Sequence, residues 1–276
     1  MGTRTKIDWA DASWNPVTGC LHGCKYCYAR GIARRFGAHF GEFNAKTWDV
    51  LDIHELNEPF QFRASGMVNG VHVDVGSCGK KIPYPYDFEP TFHRYRLDEP
   101  TGWTKPRTIF VCSMADLFGE WVPDDWIIEV LNACRAAPQH RYLFLTKNPS
   151  RYDRLEDADL ITDKDTNFWL GSTTTDITRD MLHYNHDLHT FMSCEPMLAP
   201  WPPAGSPNKD RKKLPEWVIF GAETGNRKEK IVPRKEWVDN AALMCRNMGA
   251  KVFMKESLRE IMGADFVQEF PWEVES

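Results

Sequence analysis

The sequence predicts an α/β fold, a partial (open) TIM-type barrel, and three observations predict it. From residue 107 onward, short apolar runs alternate with helical patterns; such alternation implies a parallel sheet with right-handed crossovers. Each apolar run ends in hydroxyl, acidic or amino side chains, at the edge where strand–helix barrels place their sites. With one strand ahead of residue 18, the count is six or seven parallel strand–helix units, short of the eight that close a barrel.

Residues 5–18 open the chain. Ile7, Trp9, Trp14 and Val17 flank a first short strand, whose length Pro16 limits. Residues 29–36 read as a helix stopped by Gly37, with Ile32 and Phe36 on one face and Arg30 and Arg34 on another. An irregular insertion or lid is expected at about 40–100. Within it, Val71, Val73 and Val75 alternate ahead of turn residues and three prolines, which suggests a hairpin. The later strands are expected at 108–112, 142–145, 168–171, 191–194, 217–220 and 251–254. Residues 124–137 form a helix between them, capped by Asp124 and striped by Ile127, Val130, Leu131 and Cys134. A further helix spans 233–248, with Pro233 in its first turn, a stripe of Trp237, Ala241, Cys245 and Met248, and Gly249 at its end. The proline-rich stretch 199–215 reads as a solvated crossover loop. The whole, 1–276, is expected to be one domain.

Composition narrows the function classes. A formal net charge of −5 argues against non-specific binding to a nucleic acid backbone. No apolar run approaches the ~20 residues of a bilayer span, and the first residues lack an apolar signal core, so no membrane partner is expected. Eight cysteines without a secretion signal point to a reducing, cytoplasmic setting.

The stretch that organises the rest is GCLHGCKYCYA, Gly19 to Ala29. It sets Cys20, Cys24 and Cys27 in a Cys-x3-Cys-x2-Cys spacing on one short loop. Three thiolates so close can hold three irons of a 4Fe-4S cluster and leave the fourth iron open to a small molecule. Gly19 and Gly23 let the backbone turn tightly around the inorganic core. The competing reading is a non-catalytic metal-binding module, zinc or iron–sulfur. For zinc, the missing second ligand pair argues against it. Of the other cysteines, Cys134 and Cys245 lie on helix stripes as core, Cys112 and Cys194 end strands facing a site, and Cys78 stands alone. His22 is expected to point outward from the loop. The i,i+3 spacing of His183, His186 and His189 is one a metal could use, but an exposed polar helix face is the expected reading.

This loop resembles the cluster loop of radical S-adenosylmethionine (radical SAM) enzymes, with Tyr26 at their usual aromatic position. WNPVTGC (Trp14 to Cys20), LDEP (Leu97 to Pro100), KPRTIFVCSMADLFGEWVP (Lys105 to Pro123), LTKNPSR (Leu145 to Arg151), SCEPML (Ser193 to Leu198) and WVIFGAETG (Trp217 to Gly225) are similar to one group of them, the phage-associated radical SAM proteins. The resemblance implies a radical SAM-like partial barrel that cleaves S-adenosyl-L-methionine reductively to a 5′-deoxyadenosyl radical. That radical would take hydrogen from a substrate. A nucleobase or nucleotide is one substrate class, and a peptide or small metabolite is the other. A flavodoxin- or ferredoxin-like electron donor is implied by the chemistry.

Roles then follow from what this cofactor presents. Cys20, Cys24 and Cys27 would hold the cluster. Ser113 and Asp116 would accept from the cofactor amine, and Ser172, Thr173 or Glu195 would meet the ribose hydroxyls. Tyr26 and the Gly221–Ala222 turn would wall the adenine. Lys147, Glu223, Lys255 and Glu256 would orient substrate or move protons.

Overall fold

The computed structural model describes residues 5–37, 53–68, 71–175, 177, 182–183, 185, 187–201, 215–224 and 227–273, with backbone alone over 62–68 and 71–80. The main sheet has seven strands, all parallel and curled into a half-barrel. They are β1 (Ala12–Trp14), β7 (Thr108–Val111), β8 (Arg141–Thr146), β9 (Phe168–Thr173), β10 (His189–Cys194), β11 (Trp217–Phe220) and β12 (Lys251–Met254), adjacent in that order. A small sheet of β2 (Val17–Thr18), β6 (Thr91–His93) and β3 (His54–Leu56) follows the first strand. The insertion holds an antiparallel hairpin of β4 (Gln61–Val68) and β5 (Val71–Lys81). Residues 38–52 and 69–70 of the insertion and 202–214 of the crossover stretch lie outside the described residues. Among the described residues, no helix is long and apolar enough to cross a membrane.

Strand parity explains the packing. Successive side chains in a strand face opposite sides, so each apolar run feeds two cores. Ile109, Val111, Tyr142, Phe144, Phe168 and Leu170 face outward against helix α2 (Asp124–Arg135) and its neighbours. Val218, Phe220, Val252 and Met254 face outward with helix α4 (Lys235–Asn247). Phe110, Leu143, Trp169, Phe191, Ile219 and Phe253 form the third core, on the opposite, concave side. Gly171 carries no side chain because a Cβ there would sit 2.3 Å from the Phe191 ring. Trp9 from the chain's start and Phe270 and Trp272 from its end join this concave core. Aromatic rings thus fill the concave side beside the strand starts, and polar groups gather at the carboxyl ends.

Several expectations need correction. Asp124 is the first residue of α2 and not its cap. Pro123 holds that position, and the Asp124 carboxylate accepts from Arg151 instead. Helix α4 begins at Lys235, its buried stripe is Val238, Ala241, Ala242 and Cys245, and Met248 is exposed. The sequence reading did not anticipate helix α3 (Ser150–Asp157), an eight-residue element carrying few apolar residues. His183 and His189 do not share a helix face: His183 is buried, and His189 lies in β10 with its ring stacked on Trp169. His186 lies outside the described residues.

Candidate functional site

The three-cysteine loop runs from β2 to helix α1 (Tyr28–Phe36) and is pinned at both ends. Gly19 bridges to Ala115, its N–H donates to Met114 O at 2.9 Å, and the Cys20 N–H donates to Phe88 O at 3.1 Å. Gly19 has φ +88°, and a Cβ there would lie 2.1 Å from Glu89 O, so only glycine lets the backbone pass. At the other end Cys27 is the N-cap of α1, and its sulfur accepts from the Arg30 N–H at 3.4 Å. The sulfur therefore faces the positive end of the helix, which suits a negatively charged group.

Cys20, Cys24 and Cys27 are half-buried free thiols. Burial first, then the charges of Asp116, Cys24 and Cys27, push the Cys20 thiol up to about 12. Such a group ionises when a metal replaces its proton. The donor set, three thiols on one short loop, fits a 4Fe-4S cluster with one iron lacking a protein thiolate.

Behind the loop, Asp116 is saturated. Its carboxylate accepts from the Phe118 N–H at 3.1 Å and the Lys147 N–H at 3.0 Å, and it lies 2.7 Å from His22 Nε2. His22 is half-buried and edge-on to Trp121, and it reaches back to Asp116 behind the loop. The Lys147 ammonium stands 5.8 Å from the Tyr26 ring centre. Asn15, missed in the sequence, accepts from the Ser113 hydroxyl at 3.2 Å and the Met114 N–H at 2.9 Å, which ties β1 to the turn after β7. Tyr28, also missed, donates to Ser113 O at 2.8 Å. Polar residues at the two ends of a cysteine loop were the available signal for both.

Across the half-barrel, Glu195 and Lys255 form an ion pair over Gly221. A Cβ on Gly221 would come within 3.1 Å of both side chains, so the missing side chain lets them meet. The Glu195 charge also reaches Tyr28: enclosure of the hydroxyl, then Glu195 and Cys27, raise that phenol. The loop and the Glu195–Lys255 pair thus share one edge. Beneath Glu195, the Ser193 hydroxyl is buried without a hydrogen-bond partner among the described residues.

Strand parity sorts the other candidates. Thr173 follows Gly171 on the concave side, half-buried. Ser172 faces the other way, fully buried, and its hydroxyl accepts from the His183 N–H at 2.9 Å. The Ala222 N–H donates to Ser257 at 3.0 Å. Glu223 is held in a two-pronged pair by Arg227, at 2.6 and 2.7 Å, which keeps its carboxyl below the ordinary value. Glu256 is exposed and pairs with Arg259. Cys112 follows β7 in the left-handed region with φ +57°, and burial pushes its thiol up to about 12. Cys194 packs outward with the α4 core, so neither strand-end cysteine joins the three in the loop.

Fold and site together define an α/β half-barrel protein with a three-thiol loop at the carboxyl edge of its parallel sheet. The chain belongs to the family described as "Protein of unknown function (DUF5131)", whose model matches residues 4–259. Comparison with curated proteins and with solved structures gave no match. The match corrects the family expected from sequence. It spans nearly the whole chain, includes every segment quoted above, and carries no indication of membership in the phage-associated radical SAM group. A short cysteine spacing is a local feature and does not by itself set ancestry.

Proposed function

We propose that this protein holds a 4Fe-4S cluster on Cys20, Cys24 and Cys27 and uses it to cleave S-adenosyl-L-methionine reductively, as an enzyme acting on a nucleobase, nucleotide or similar small substrate. The observation that carries this reading is the loop itself: three free, half-buried thiols at the strand edge that faces the Glu195–Lys255 pair. When bound, the cluster would supply one electron to the sulfonium and so yield a 5′-deoxyadenosyl radical.

The chain's own residues do the rest. Gly19 and Asp116 hold the loop against β7, so the thiols stay fixed without a substrate. Tyr26 and Lys147 form one wall, where the ring gives a stacking face and the ammonium can meet a carboxylate. Ser113 and Tyr28 border the loop on another side. Thr173 and Glu195, on the concave side, offer acceptors for ribose hydroxyls, and the small Gly221–Ala222 turn leaves room for a planar base. Lys255 is poised to hold Glu195 or a polar substrate group. Filling of the concave side by Trp169, Trp217 and Phe253 directs ligands to the carboxyl edge.

An electron must reach this edge from outside. The segment from Leu21 to Gly37 carries Lys25, Arg30, Arg34 and Arg35 and no acidic residue, in a chain of net charge −5. Leu21, Tyr28, Ile32 and Phe36 are exposed beside these cations. An acidic flavodoxin- or ferredoxin-like donor fits such a surface.

Anaerobic reconstitution with iron and sulfide tests the reading. Wild type is expected to take up about four irons per chain and to release 5′-deoxyadenosine under strong reductant, and Cys24→Ala to do neither. Iron uptake without cofactor cleavage, or a single bound zinc that resists replacement, would remove it.

A further inference from the structure

We propose that Asp153, Glu156 and His183 form a second metal site, for a divalent ion, separate from the three-cysteine loop. His183 Nε2 and Glu156 Oε1 are the ligands, and Asp153 orients the histidine. Helix α3 sets Asp153 and Glu156 at i,i+3, so both side chains share a face. The connection from β9 to β10 brings His183 onto that face. Among the described residues, this is the one trio whose ligand atoms all lie within 4.8 Å of one another.

Two buried atoms point to a missing third body. His183 is 3 % exposed, yet among the described residues its Nε2 has no hydrogen-bond partner, and neither has Glu156 Oε1. The two atoms lie 2.9 Å apart without the alignment of a hydrogen bond. Two ligands at about 2.1 Å from one ion lie about 3.0 Å apart at octahedral angles and about 3.4 Å apart at tetrahedral ones. The remaining atoms are already placed as supports. His183 Nδ1 lies 3.1 Å from Asp153 Oδ1, the carboxylate–histidine arrangement that fixes ring orientation at metal sites. Asn185 donates to Glu156 Oε2 at 2.8 Å and leaves Oε1 free.

Charge agrees with geometry. Among the described residues, neither carboxylate has a lysine or arginine partner, and both face His183. One nitrogen, one carboxylate oxygen and water in the remaining positions suit zinc or manganese. Because the His183 N–H also donates to Ser172, the ion would anchor the β9–β10 connection beside Thr173.

The test uses the full-length, cluster-reconstituted protein, crystallised and soaked in zinc chloride, with anomalous diffraction at the zinc edge. A peak about 2.1 Å from both His183 Nε2 and Glu156 Oε1, absent in Glu156→Gln, supports the site. In solution, zinc is expected to raise the wild-type melting midpoint by roughly 5 °C at about a hundredfold excess over Kd. Glu156→Gln, which keeps the shape and an acceptor for Asn185, is expected to lose that rise. No peak at this position, or an equal rise in Glu156→Gln, overturns the proposal.

Discussion

His22 Nε2 lies 2.7 Å from Asp116 Oδ2, and this contact fastens the three-cysteine loop to the turn that follows β7. The same carboxylate accepts the backbone N–H groups of Phe118 and Lys147. Asp116 thus joins the loop and the ends of two strands through one side chain. The sequence reading places it at the cofactor amine; in the structure its carboxylate already meets His22 and two backbone N–H groups.

Replacing Asp116 with asparagine keeps the shape but turns one acceptor into a donor that faces the Lys147 N–H or His22. A loss of about 1–3 kcal/mol is expected, because a buried donor is left unpaired. Iron retained after reconstitution should fall with it, and should recover least in His22→Ala/Asp116→Asn. Urea unfolding and iron analysis measure the two effects. Full stability with full iron would show that the contact does not hold the loop.

Gly19 and Gly23 both have positive φ, at +88° and +69°, but only Gly19 is hemmed in. Gly23→Ala is expected to cost about 1 kcal/mol, the ordinary penalty of the left-handed region. Gly19→Ala adds a clash with the Glu89 carbonyl and should prevent normal folding of the loop. Comparison of melting midpoints and iron content separates the two.

Glu195 and Lys255 are half-buried, with side chains 26 % and 17 % exposed. Removing one charge strands the other, so Lys255→Met and Glu195→Gln should each destabilise by about 1–3 kcal/mol, discounted for partial exposure. The double variant should lose less than the sum. If the pair also shapes the cofactor site, each single variant lowers 5′-deoxyadenosine formation at least tenfold. Additive stabilities would show that the pair is not coupled.

His93 sets a pH dependence. Burial first, and the Arg96 charge second, push its imidazole down to about 3. The ring lies 2.9 Å from Thr18 Oγ1, across the small sheet that leads into the loop. In the unfolded chain the group returns to about 6.5. Below that pH the unfolded state binds a proton that the folded state refuses, so stability is fully present above about 6.5 and falls toward pH 3. The expected loss is up to about 1.4 kcal/mol for each pH unit. Urea titrations at pH 7 and 5.5 should show it, and His93→Gln should flatten it.

The sequence by itself determined the strands, their parallel order and the loop. Apolar runs such as 217–220 and 251–254 appear unchanged as strands, because burial of a run is a local demand that composition meets. The count of six or seven units matches the seven-stranded half-barrel. The cysteine spacing and Gly19 were equally plain. Even the concave-side choice of Thr173, Glu195, Gly221 and Lys255 follows from two-residue parity once the strand ends are known.

Only the tertiary structure decided which polar groups were already spoken for. Asp116 is answered by His22 at a separation of 94 residues, Ser172 by the His183 backbone, and Glu223 by Arg227. It also brought Asp153, Glu156 and His183 onto one spot, from a helix with few apolar residues and a connection whose histidine spacing reads as an exposed helix face. The reason is physical. Apolar patterning repeats along the chain and can be read in place, whereas a hydrogen bond depends on the one partner that folding brings within about 3 Å.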